Sequence, residues 1–174
     1  MSALRLSRGR LTVFYLTALG AIAIAASAAD VWPTRVLYNA SASVPLGWYA
    51  VGEPKAIGPG DLVIVRAPIR AERVLVERGY IGAGIPLVKR VGAIPGSTVC
   101  RDDVRVSIDG TPAAVARVAD AFGRPLPRWS GCRTLGPADV FLLNSGSPGS
   151  LDGRYFGPTP ARDIIGKATP LWTW

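Results

Sequence analysis

"VRVSIDGTPAAVARVA", Val104–Ala119, is the stretch that decides the fold class. Two runs rich in β-branched residues, "VRVSI" and "AAVARVA", flank Asp109-Gly110, a dipeptide suited to the two-residue turns of β-hairpins. The same pattern continues in both directions. Upstream, "GWYAVG" (47–52) and "DLVIVR" (61–66) read as short strands separated by the Pro/Gly-rich "EPKAIGPG". "LVKRVGAI", Leu87–Ile94, is a further β-branched run, stopped by Pro95-Gly96. Downstream, "DVFLLN" (Asp139–Asn144) predicts another strand, and Ile164–Trp174 one or two more. Only "RAERVLVER", Arg70–Arg78, suggests one or two turns of helix before "GYIGAGIP" breaks it. The expected class is therefore mainly β, an antiparallel domain with short loops and little helix.

Ahead of this domain lies a segment of different character. "LTVFYLTALGAIAIAASAA", Leu11–Ala29, has 19 residues and no charge, about the length a helix needs to cross the hydrocarbon core. Arg5, Arg8 and Arg10 precede it, which predicts a cytoplasmic N-terminus and an exported remainder. Ala26-Ser27-Ala28 also fits a cleavage site, so an uncleaved anchor held by membrane lipid and a removable leader both stand, the anchor being the favoured expectation. The division expected is 1–29 for cytoplasmic N-terminus and anchor, and 30–174 for the exported domain. That places the chain in the inner membrane as a single-pass protein with its domain in the periplasm. An oxidising compartment allows Cys100 and Cys132 to form a disulfide, the alternative being two buried free thiols.

The net charge of +8 comes from 17 arginines and three lysines (Lys55, Lys89, Lys167) against 12 acids. It favours an anionic surface, but no basic cluster interleaved with aromatics marks a nucleic-acid partner. There is no histidine, which removes Ser-His-Asp and Cys-His nucleophile systems and histidine zinc sites. Two cysteines cannot make a cysteine zinc site, and neither a metal nor a cofactor is expected. Any hydrolytic base must be a lysine or a carboxylate.

Three places could carry such chemistry. Lys89 lies in "GIPLVKRVGAIPG"; turned inward, it would lose water and its pKa would fall, leaving a neutral amine able to act as a base. Turned outward, it would share with Arg90 the charged face of an ordinary strand. Ser43, in "SASVPLG", sits where Pro45 restricts the backbone, and Ser41 two positions back could share its face and donate to an oxyanion. An ordinary turn after a membrane segment is the bland alternative. "NSGSPGSLDGRYFGP", Asn144–Pro158, puts Asp152 and Arg154 two apart, on one face if the segment is extended, or as a solvated pair worth at most about 1 kcal/mol.

Taken in order, "SASVPLGWY", "GDLVIV", "PLVKRVGAIPG" and "SLDGRYFGP" resemble signal peptidase I, and more closely its conjugative-transfer relative, the TraF-type signal peptidase. The spacing Ser-x-Pro-x-Gly-x-Tyr, "GRPLPRWSGCRTLG" around Cys132 and the closing "PLWTW" are similar to that branch. The resemblance implies a serine–lysine peptidase with a signal-peptidase-like β-domain. Ser43 matches the nucleophile and Lys89 the general base. Ser41 matches the hydroxyl of the oxyanion hole, Ser150 the serine that bonds the base, and Asp152 with Arg154 the bracing pair. Gly153 departs from the pattern, since that loop commonly carries a second serine. The implied substrate is an exported, pilin-like precursor matured in conjugative transfer, with other components of the transfer apparatus as partners. General removal of signal peptides from preproteins, or a non-catalytic periplasmic scaffold, are the alternatives.

Overall fold

A computed structural model describes residues 8–28 and 35–174. Arg5 and the expected boundary at residue 29/30 lie outside them. The chain divides into two compact units, residues 1–34 and 35–174. The first contains α1 (Arg8–Ala28), whose apolar residues fall on all sides. At 1.5 Å per residue its 21 residues span about 31 Å, enough to cross a bilayer core.

The second unit is almost entirely antiparallel. Its first half holds β1 (Val36–Asn39), β2 (Gly47–Gly52), β3 (Leu62–Val65), α2 (Ile69–Glu77), β4 (Leu87–Ala93), β5 (Thr98–Asp102) and β6 (Arg105–Ile108). Then come β7 (Thr111–Val115), β8 (Gly131–Thr134), β9 (Asp139–Leu142), α3 (Gly153–Phe156), β10 (Thr159–Pro160) and β11 (Ile164–Thr173). Seven strands form one sheet in the order β1-β2-β11-β3-β4-β9-β10, and four form a second, β7-β6-β5-β8. The mainly β, antiparallel expectation holds.

The Asp109-Gly110 turn joins β6 to β7, with both residues at positive φ (49° and 78°) as such a turn demands. "AAVARVA" is a strand only as far as Val115; Ala116 onward leaves the sheet as a long loop. β3 is buried at every position because it is central: Leu62 and Ile64 join one apolar cluster with Tyr49 and Val88, while Val63 and Val65 join another with Val91 and Leu142. Phe141 and Leu143 pack with Val99 and Val106, binding the two sheets together. Cys100 and Cys132 face each other across β5 and β8 and form a disulfide, with Cα atoms 4.0 Å apart.

Candidate active site

The serine turn bridges β1 and β2, and one buried side chain organises it. Asn39, the last residue of β1, donates from Nδ2 to the carbonyls of Ser41 (2.8 Å), Val44 (3.2 Å) and Pro45 (3.0 Å). Its Oδ1 accepts from the Ser41 amide (3.2 Å) and the Ser41 hydroxyl (3.0 Å). Buried Tyr49 adds a hydrogen bond from its hydroxyl to the Pro45 carbonyl, 2.7 Å. The result holds the Ser41 and Ser43 hydroxyls 3.1 Å apart. Gly47 ends the turn at φ 131°, where a Cβ would collide with the Trp172 carbonyl of β11. Only glycine fits there.

Lys89 comes from β4, opposite Val63 of β3. Alternation along β4 predicts one buried face, but Val88 and Lys89 are both buried, at 3% and 6% exposure, and Arg90 takes the charged role outside. The outward alternative for Lys89 is thus excluded: it is buried on the β4 face it shares with Val91 and Ala93, and the exposed charge on the other face is Arg90. Its Nζ donates to Ser150 Oγ at 3.1 Å and lies 3.5 Å from Ser43 Oγ. Burial pulls its pKa down to about 8; the Asp152 carboxylate raises it and the Arg154 guanidinium lowers it. The two neighbours oppose each other, so desolvation decides the direction.

Ser150, Asp152 and Arg154 arrive together on the segment after β9. Asp152 and Arg154 are not a solvated pair on an extended strand. Asp152 caps the short α3, and both side chains are almost fully buried. Arg154 grips Asp152 with Nε to Oδ1 (2.8 Å) and Nη2 to Oδ2 (3.0 Å), a bidentate pairing. Asp152 also accepts from the Asn144 amide (3.0 Å), and Arg154 donates to the Asn144 carbonyl (2.8 Å). These bonds pin both ends of the segment that presents Ser150. Gly153 has a packing explanation: a Cβ would sit 2.7 Å from the Phe141 ring and from the Leu142 carbonyl. The space of the missing serine is filled by Phe141.

Cavities of about 280 and 250 Å³ flank Ser43. The first has Ser43, Lys89 and Ser150 in its wall, together with apolar Leu75, Tyr80 and Leu151. The second is bounded by Pro45, Arg90 and Asn144. Among the described residues, no group of three or more His, Cys, Asp or Glu is placed to hold a metal ion. The assembly puts a hydroxyl beside an amine whose proton is loosely held, between two cavities that both reach Ser43. All six expected site residues converge here, and the disulfide lies in the smaller sheet. Asn39, Tyr49 and Asn144 are the supporting residues that sequence reasoning missed. Asparagine's habit of bonding backbone groups in turns is the signal that could have found the first.

The family model described as "Signal peptidase, peptidase S26" matches residues 8–174. A probable conjugal transfer protein TraF from Sinorhizobium fredii is 36% identical over 174 residues, covering 94% of this chain and 88% of its own length. A plasmid transfer protein TraF from Escherichia coli is 34% identical over 174 residues, covering 95% of this chain and 97% of its own. Among solved structures, a signal peptidase I from Enterococcus faecalis V583 aligns with 66% of this chain and 98% of its own, at 20% identity and a TM-score of 0.39. With a family match that runs from α1 through β11, the chain belongs to the signal peptidases of the peptidase S26 family.

Proposed function

We propose that the chain is a membrane-anchored serine endopeptidase that matures an exported, pilin-like precursor for conjugative transfer, with Ser43 as nucleophile and Lys89 as general base. The observation that carries this is the buried Lys89 amine, its pKa lowered to about 8, 3.5 Å from the Ser43 hydroxyl. A serine at its free pKa is a poor nucleophile and requires such a neighbour. Neutral Lys89 takes the Oγ proton as Ser43 attacks the scissile carbonyl. The oxyanion that forms accepts from the Ser43 amide and from the Ser41 hydroxyl, which turns away from Asn39 to reach it. The Lys89 ammonium then protonates the leaving amine. Water, giving its proton to Lys89, releases the acyl group from Ser43. Ser150 keeps the amine aimed, while Asp152 and Arg154 brace the loop that holds Ser150.

Peptidase chemistry on precursor proteins comes with the family. The conjugative role rests on the names of the TraF relatives. Residues 1–29 serve as cytoplasmic N-terminus and anchor, and 30–174 as the periplasmic domain at the inner membrane. The apolar span within Gly9–Ala26 and a disulfide suited to an oxidising compartment support this placement.

The test is cleavage of candidate pilin precursors by the parent, Ser43→Ala and Lys89→Met proteins, with mass analysis of the products. Loss of cleavage in both variants is expected. Equal cleavage by all three would end the enzyme reading in favour of a scaffold. Retained activity in Lys89→Met alone would transfer the base role to a carboxylate, Asp152 first. A product lighter by one water would mark head-to-tail joining rather than hydrolysis, and cleavage of unrelated secreted preproteins would mark general signal-peptide removal.

A further inference from the structure

The loop between β7 and β8 lies outside the catalytic cluster, yet it touches two residues that line the larger cavity beside Ser43. One is Tyr80, in the turn that follows α2. Its hydroxyl donates to Asp120 Oδ2 at 2.5 Å, across 40 residues of sequence. Arg124 completes the cluster: its Nε bonds Asp120 Oδ2 at 2.7 Å, its Nη2 reaches the Tyr80 oxygen at 3.2 Å, and its guanidinium carbon lies 5.4 Å from the Tyr80 ring centroid. Arg78, two residues before Tyr80, donates to the Pro125 carbonyl at 2.8 Å and lies 3.5 Å from Asp120. Asp120 is oriented by the loop itself, accepting from the Phe122 and Arg124 amides, both at 2.9 Å. Burial raises its pKa, but bonds from Tyr80, Arg124 and Phe122 outweigh that and hold the carboxyl well below the ordinary carboxylate range. The cluster therefore keeps its charge across neutral and mildly acidic pH.

Leu151, next to Ser150, lines the same cavity. It packs against a small apolar cluster of Ala116, Leu126 and Tyr155, two of which belong to the same loop. The Arg117 amide donates to the Tyr155 hydroxyl at 2.9 Å. The loop re-enters the sheet at β8, where Cys132 is tied to Cys100. A single connection thus holds two residues of the cavity lining, Tyr80 and Leu151, and is fastened at its exit.

We infer that this loop is a clasp: Asp120, acting through Tyr80, fixes the width of the cavity beside Ser43 and so sets the size of apolar substrate side chain the site admits. The inference rests on the peptidase reading above. It makes Tyr80 a specificity-determining residue and Asp120 a positioning residue, neither of them touching the reacting atoms. Without the Asp120 bond the Tyr80 ring keeps only its contacts with Arg124, the apolar wall loosens, and larger side chains enter while small ones lose their close fit.

The experiment uses the full chain in lipid bilayers and a set of peptides that differ only in the residue before the scissile bond, Ala, Val, Leu or Phe. Parent, Tyr80→Phe, Asp120→Asn and the double variant are compared by kcat/KM. Tyr80→Phe deletes one hydroxyl and leaves the ring and the apolar wall, so it keeps the test valid if Asp120→Asn fails to fold. The expected result is at least a fivefold compression of the ratio between the best and worst side chains, through KM, in each single variant. The double variant should add nothing further, and Asp120→Glu should restore part of the ratio. A uniform fall across all four peptides, or an unmoved ratio in an active Tyr80→Phe protein, overturns the clasp and leaves the peptidase standing. A parent that cleaves none of these peptides nor any precursor overturns both.

Discussion

Lys89 is a charged residue in a place where its charge is unwelcome, and the proposed function draws on that discomfort. As the proposed base it must be neutral, so kcat/KM should climb with pH and level off above an apparent pKa near 8. The stability consequence has the opposite beneficiary. The folded amine gives up its proton near pH 8, the unfolded one near 10.5, so stability rises with pH between those values and is lowest below them. At about 1.4 kcal/mol per pKa unit, the protonated buried amine costs the native state roughly 3 kcal/mol. Lys89→Met should thus abolish cleavage yet stabilise the protein by about 1–3 kcal/mol at pH 7 in denaturant unfolding, an advantage that fades towards pH 10.5. Lys89→Arg should be as inactive, because a guanidinium stays charged. Asn39 offers a different measurement: Asn39→Ala frees three carbonyls and two donors of the serine turn, and kcat should fall about 10- to 100-fold with KM little changed. The serines and the lysine were legible from their motifs. The direction of Lys89 was not, since alternation puts Lys89 and Arg90 on opposite faces of β4 without saying which of the two charges turns inward.

At the scale of elements, the segment after β9 shows how far local pattern carries. The pairing of Asp152 with Arg154 was expected, but for a different geometry. The two meet because one caps the helical turn that contains the other, and their burial makes each dependent on its partner. Arg154→Ala leaves a buried carboxylate unpaired and should cost about 3–5 kcal/mol, read as a fall in Tm. The absent second serine is a packing matter. Gly153→Ser would drive its Cβ into Phe141, destabilising by about 1–3 kcal/mol, and Phe141→Leu should recover part of that loss. Strands with strong apolar runs were found within a residue or two. β5 and β8 were missed because "TVCRD" and "GCRT" are short and largely polar, and their pairing depends on long-range partners rather than on their own pattern. The 116–130 loop was noticed only as a composition typical of one family branch; its contacts with Tyr80 and Leu151 lie beyond anything spacing can express.

For the whole molecule, the class, the β-unit and the membrane-length helix were all apparent in the sequence, whereas the order of strands was not. The disulfide was one of two open alternatives. It closes a loop across a separation of 32 residues, so replacing both cysteines by serine should lower unfolding free energy by about 3–4 kcal/mol without moving Lys89 relative to Ser43. Denaturant midpoints with and without reductant, beside precursor cleavage, check both halves of that statement. Sheet order carries a further lesson. Ser43 sits between β1 and β2 and Lys89 on β4, but β11 separates β2 from β3 in the sheet. The hairpin with the hydroxyl and the hairpin with the amine therefore lack a common seam until residues 164–173 have slotted between them. On the proposed serine–lysine reading, a nascent chain emerging N-terminus first carries both groups long before the sheet that unites them is complete. The same reading ties any proteolytic competence to the arrival of β11, the last strand to be synthesised.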